Sequence, residues 1–235
     1  MKGIFFACVF LASAVAFANE KITRPQKYAA YRAHTILPDS LKFLVKRNGK
    51  HLFEGLERGL SVPAATIDEN LIIQAVNRIT EMVNEQRPFK EVVAQMGFVT
   101  GLLGVFTDPS RGATPVTRAG FRYYLNHKLG RFLFVFDGFR KEEPVLVRVR
   151  RDMAGIDKNR SVYRRLLEEQ YLEVNGNYRY GFDERSAVFG VCSIYFSNLA
   201  RLSALLWYDA WSAANGDLTR TPFVDISVKR LKSAP

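Results

Sequence analysis

Cysteine and histidine are scarce in this 235-residue chain, which holds two cysteines, Cys8 and Cys192, and three histidines, His34, His51 and His127. Cys8 falls in an N-terminal apolar run, so the chain beyond that run has one thiol and cannot form an internal disulfide. Cys192 sits inside an apolar helical pattern and reads as a buried, inert thiol. The histidines are far apart, which predicts solvated or capping roles for them. H-E-x-x-H, C-x-x-C, G-x-S-x-G and G-x-x-x-x-G-K are all missing, so four common enzyme classes lose their signatures. Acidic residues are few as well: 23 against 34 lysines and arginines, a net charge of +11. That excess favours an anionic partner such as phospholipid headgroups, lipopolysaccharide or nucleic acid, through long-range attraction that salt screens.

Long apolar runs are limited to one, Ile4 to Phe17, broken only by Ser13. Lys2 precedes it and Ala16-Phe17-Ala18 closes it, the three parts of a secretory signal peptide. Cleavage is expected after Ala18, leaving residues 19–235 in the periplasm or secreted. A spanning helix needs roughly 20 apolar residues, and no second segment is expected to supply one.

Helical periodicity dominates the rest of the chain. Residues 26–37, 41–47 and 51–58 read as three short helices, with Asn48-Gly49 as a left-handed cap closing the second. Ile67, Leu71, Ile72, Ala75, Val76, Ile79 and Val83 mark a helix of about five turns with Asp68 at its start. The segment after Pro88 is apolar nearly all round, which predicts a buried central helix. Further helices are expected over 117–136 and 159–174, with a long one over 183–214. Residues 145–151 alternate apolar and basic, yet Pro144 suits a first helical turn and a lone strand has no partner, so a helix is expected there too. The pattern predicts an all-α, single multi-helix domain of about seven to nine helices over residues 19–216, then a basic tail over 217–235, either a packed strap or disordered.

The stretch Gln26-Lys27-Tyr28-Ala29-Ala30-Tyr31-Arg32-Ala33-His34-Thr35-Ile36-Leu37-Pro38 resembles the first helix of the zinc-dependent phospholipase C family, whose fold is shared with single-strand-specific zinc nucleases. Ala29, Ala30, Ala33, Leu37 and Pro38 fit that helix. Leu52-Phe53-Glu54-Gly55 resembles the lead into the family's Gly-x-x-x-Pro-Asp turn. Met96-Gly97 and Asp108-Pro109 resemble the ends of its central His-x-x-x-Asp helix, and Tyr195, Trp207 and Trp211 its closing aromatic helix.

That resemblance implies zinc, but the ligand positions are changed. Gln26 stands at the first-helix histidine, Leu60 at the turn aspartate, and Gly101 and Val105 at the central His-x-x-x-Asp pair. Glycine and valine offer no donor atoms, so the zinc-activated water of such hydrolases has no holder. Asp108 and His34 are the candidates for a residual polar site. No catalytic residue, metal or cofactor is assigned, and the resemblance implies a non-catalytic binding or scaffold protein for an anionic partner in the cell envelope. The alternative is a zinc-dependent phosphodiesterase or phospholipase C with non-standard ligands. Arg148, Arg150, Arg151, Arg164 and Arg165 form the densest positive region and the expected anionic contact surface. Phe121-Arg122-Tyr123-Tyr124 reads as a buried aromatic face with arginine reaching outward.

Overall fold

A computed structural model describes residues 24–139, 145–171 and 183–222. The expected signal peptide, the helix end near Asn175 and the tail beyond residue 222 lie outside them. Among the described residues there are eight α-helices and no strand. They are α1 (Arg24–Thr35), α2 (Asp39–Arg47), α3 (Gly49–Leu60), α4 (Glu69–Asn84), α5 (Phe89–Phe106), α6 (Pro115–His127), α7 (Val145–Gln170) and α8 (Ala187–Ala213). The all-α class is as expected.

Local chemistry sets several of the boundaries. Asp68 Oδ1 accepts from the Leu71 amide at 2.8 Å, Thr114 Oγ1 from Thr117 at 3.2 Å, and Ser186 Oγ from Phe189 at 3.2 Å. Each hydroxyl or carboxylate satisfies an amide that the helix start leaves open. Asn215, at φ 56°, ends α8 in the left-handed region that asparagine tolerates.

Three expectations of local structure are corrected. Asn48 has φ −109° and leads straight into α3, so the pair Asn48-Gly49 is a corner between helices and not a left-handed cap. The helix expected through Phe136 stops at His127, and Lys128–Phe139 continues as a short 3₁₀ turn and a non-helical segment. There Phe132 is buried while Leu133 and Val135 are 72% and 65% exposed, an alternation with period two. Residues 145–170 form one helix where two were expected.

The hydrophobic core is built on α5 and α8. Contrary to the sequence expectation, both are long and apolar enough to cross a membrane, but 61% of each apolar window is buried inside the fold. Trp207 Nε1 donates to the Met96 carbonyl at 3.0 Å and Thr100 Oγ1 to Ser203 Oγ at 3.1 Å, tying the two helices through buried polar pairs. Helices α1, α4 and α7 pack around α8.

Helices α3 and α5 pack backbone to backbone. Gly55 and Gly59 repeat at four residues on α3, as do Gly97 and Gly101 on α5, so each helix presents one bare stripe. A Cβ at Gly55 would lie 1.7 Å from the Ala94 carbonyl oxygen, and one at Gly97 would lie 1.9 Å from that of Leu52. Gly59 and Gly101 meet directly, since a Cβ on either falls within 2.8 Å of the other's Cα. Small residues let two helix backbones touch in this way.

Gly97→Ala or Gly101→Ala is expected to cost about 3 kcal/mol or more, because backbone must move to admit the methyl group. Gly190→Ala, on α8 with nothing within 4 Å of the new Cβ, is expected to be neutral or to stabilise by up to about 1 kcal/mol. Equilibrium urea unfolding of the three variants measures the contrast.

Candidate anion-binding cleft

A cleft of about 310 Å³ opens where α5 ends. Its wall is made by Gln26 of α1, Leu60 of α3, Val62 and Ala64 beyond it, Gly104, Val105 and Asp108 from the end of α5, and Tyr195 of α8. Helix α6 and the loop before it close the other side with Arg111, Arg118, Phe121, Arg122 and Asn126.

Gln26, Leu60 and Val105, three of the four positions that the sequence resemblance aligns with zinc ligands, line one cavity together with Asp108. Gly101 does not: it is spent in the α3–α5 contact, where its Cβ would lie 2.5 Å from the Leu56 carbonyl oxygen. Nor does His34 belong here. It lies two turns further along α1, about 12 Å by helical rise, and its Nε2 is within hydrogen-bond distance, 3.0 Å, of the Lys42 carbonyl. Burial pushes the His34 pKa down, the carbonyl bond partly opposes that, and Lys42 and Lys46 reinforce it.

The back of the cleft is a fixed neutral network. Gln26 Nε2 donates to Tyr195 Oη at 2.9 Å, and Tyr195 Oη donates to the Gly104 carbonyl at 3.2 Å. Burial drives the Tyr195 phenol far above its ordinary pKa, and the charge of Asp108 adds to this. The phenol is thus a donor at every physiological pH and not a base. Asp108 Oδ1 accepts from the Ser110 amide at 2.7 Å and the Ser110 hydroxyl at 2.6 Å, which folds the loop after α5 back on itself. Cys192 is fully buried nearby, and burial followed by the Asp108 charge pushes its thiol well up, so it is held in the inert thiol form.

Three guanidinium groups face this network. Arg111 donates to the Ala64 carbonyl, which pins its side chain across the mouth. Arg118 and Arg122, four residues apart, share one face of α6. Neither Arg111 nor Arg118 has a carboxylate partner among the described residues. Just behind the loop, Arg160 donates to the Phe106 carbonyl at 2.8 Å and stacks over the Phe106 ring at 5.2 Å. Its pKa is lowered by burial, with Arg111 reinforcing that and Asp157 and Asp108 opposing it. Gly112, at φ 81°, keeps the rim open for Arg164, whose Nη1 would lie 2.9 Å from a Cβ there.

The expected positive surface on α7 is thereby divided. Arg164 reaches the cleft rim, but Arg150 pairs with Glu69 of α4 at 2.9 Å and Arg165 with Glu169 at 3.7 Å. Arg151 is exposed and carries an interaction of its own. The side chain of Arg148 lies outside the described residues. Arg111 and Arg118 went unassigned in the sequence and Arg122 was read only as reaching outward from an aromatic face, although Arg118 and Arg122 carry a signal in their spacing of four around the buried Phe121.

Zinc does not fit this donor set. The cleft offers the Asp108 carboxylate and the Gln26 amide, and three arginines stand around them. A site for Zn²⁺ takes about four imidazole, thiolate or carboxylate ligands and repels added cations. Among the described residues no group of three or more His, Cys, Asp or Glu converges to hold a metal ion. No family model, curated protein or solved structure matches the chain.

Tyr195→Phe is expected to cost about 1–3 kcal/mol, because the buried Gly104 carbonyl and Gln26 amide lose their shared partner. Urea unfolding measures the loss, and the variant's unchanged far-ultraviolet circular dichroism marks it as local.

Proposed function

We propose that this is an exported, non-catalytic binding protein that holds a small oxyanion, of phosphate or phosphodiester type, in the arginine cleft. The observation that carries the proposal is that Arg111 and Arg118 face a concave site without carboxylate partners among the described residues. Guanidinium groups present paired N–H donors matched to phosphate oxygens, and such charge-assisted bonds are about twice as strong as neutral ones. The overall charge, +11 for the full chain and one less without Lys2, would draw an anion toward that site. Apolar Leu60, Val62, Val105 and Leu125 beside the arginines suit a ligand whose anionic group carries a small hydrocarbon portion.

In this reading the chain is a metal-free relative of the zinc-dependent phospholipase C family. Gln26, Leu60 and Val105 sit together on the cleft wall, as former ligand positions of one site would. The arginines replace the metal as the source of positive charge. Turnover has no evident agent: Tyr195 is held as a neutral donor, and the Asp108 carboxylate is engaged by Ser110.

Titration of the protein with inorganic phosphate and with glycerophosphodiesters, followed by calorimetry, tests the proposal. Saturable binding is expected, weakened by added salt. Arg111→Gln and Arg118→Gln should each weaken it about tenfold or more, the equivalent of one charged hydrogen bond. Affinities unchanged in both variants would overturn the site assignment. Stoichiometric zinc in the purified protein, with zinc-dependent phosphodiester turnover, would overturn the non-catalytic reading.

A further inference from the structure

At the opposite end of α1, a second concavity of about 450 Å³ is bounded by Tyr31, His34, Phe43, Leu52 and Phe53. Two of its aromatic members are turned outward. Phe43 is 61% exposed and Tyr31 is 55% exposed. On α2 the buried residues are Leu41 and Val45, so Phe43, two positions from each, stands on the solvent side of an otherwise amphipathic helix. Tyr31 is braced by ring contacts with Tyr28 at 6.4 Å and His34 at 6.1 Å, and it projects beside the same groove. Phe43 thus lies outside the core and, with Tyr31, gives this corner two adjoining outward aromatic rings.

The rim is basic. Lys42 and Lys46 line the groove, Arg47 is exposed on the next position of α2, and Lys27 lies 5.3 Å from the centroid of the Phe53 ring. Lys46 and Arg47 have no carboxylate partner among the described residues. Nearby acids are already engaged: Asp39 lies 3.4 Å from Lys42 and 3.9 Å from Arg220, and Glu54 lies 2.8 Å from His51 and 3.9 Å from Lys50. The groove is therefore apolar inside, and at its edge Asp39, which also lines it, is engaged by Lys42 while Lys46 and Arg47 stay cationic.

We infer that this corner of α1, α2 and α3 docks on an anionic phospholipid bilayer, with Phe43 and Tyr31 entering the interface and Lys46 and Arg47 contacting the headgroups. Aromatic side chains favour the headgroup level, and basic residues near an anionic surface add attraction that falls away within a Debye length. Charge sign separates this occupant from the chain's own C-terminal residues. Those residues leave the described region beside Asp39, but they carry Lys229, Arg230 and Lys232 against Asp225, a net charge of the same sign as the rim. The inference does not rest on the oxyanion cleft, which lies at the other end of α1.

The test uses the full chain with Phe43→Trp and phosphatidylcholine vesicles, with or without phosphatidylglycerol, whose acyl chains are brominated. Trp207 and Trp211 are buried and give a constant background. Val162→Trp, at an exposed position of α7 outside the groove, reports bilayer proximity from elsewhere on the protein, including any caused by the apolar N-terminal run. Phosphatidylglycerol vesicles are expected to shift the emission of the indole at position 43 to the blue and quench it about twofold, with the indole at position 162 unaffected. Lys46→Gln with Arg47→Gln, or added salt, should remove most of that quenching. Equal quenching at positions 43 and 162, or equal quenching by neutral vesicles, would overturn the inference. Blue-shifted emission from position 43 before any vesicle is added would also overturn it, since the groove would then be covered by the chain itself. Arg111→Gln with Arg118→Gln should leave insertion at position 43 intact, so failure of the cleft proposal and failure of this one are distinguishable.

Discussion

Backbone-to-backbone contact between α3 and α5 is the constraint on which the other helices depend. Four glycines remove the side chains that ordinarily keep helices about 8–10 Å apart. The cost is intrinsic: each helical glycine is less favourable than alanine by roughly 0.5–1 kcal/mol. Close contact of the two helix surfaces offsets it and fixes the position of α5. Leu60 closes α3 and Val105 and Phe106 close α5, so the glycine contact brings these helix ends together as well. The cleft opens where the contact ends, at Gly104, where a Cβ would meet the Leu60 and Gln26 side chains at 3.2 and 3.5 Å.

The electrostatics come from the same geometry. Asp108 emerges just past α5 and is turned into its own loop by Ser110, which leaves its charge close enough to Tyr195, Cys192 and Arg160 to influence all three. Arginines come from two neighbouring elements, the loop at Arg111 and the first turns of α6, so no single run of sequence is positive there. The α7 run that looks most basic in sequence is partly neutralised by Glu69, Asp157 and Glu169. Local charge density was a poor guide because ion pairing is decided by packing between helices.

Much of the fold was legible for a simple reason: apolar residues at three- and four-residue spacing mark buried helix faces, and α4, α5 and α8 have them in abundance. The alternating phenylalanines after Gly130 were misread because Phe132 and Phe136 also satisfy a spacing of four, and only burial separates period two from period 3.6. The repeats Gly55/Gly59 and Gly97/Gly101 stand in the sequence but went unread as stripes, since a repeat of small residues does not state which other stripe it meets. Of the cleft lining, Gln26, Leu60, Val105 and Asp108 were singled out on a family resemblance alone. Arg111 and Arg118 were not, since their meaning depends on where carboxylates lie in space.

The bond from Gln26 to Tyr195 spans 169 residues and joins the first described helix to the last. A ribosome adding about 5–20 residues per second releases α1 roughly 10–30 seconds before its main packing partner. During that interval Ala29, Ala30, Ala33 and Leu37, all fully buried in the finished fold, have no α8 to cover them. The faces of α1, α4 and α5 that meet α8 consequently stay uncovered until synthesis is nearly done, although the α3–α5 contact needs nothing beyond Phe106.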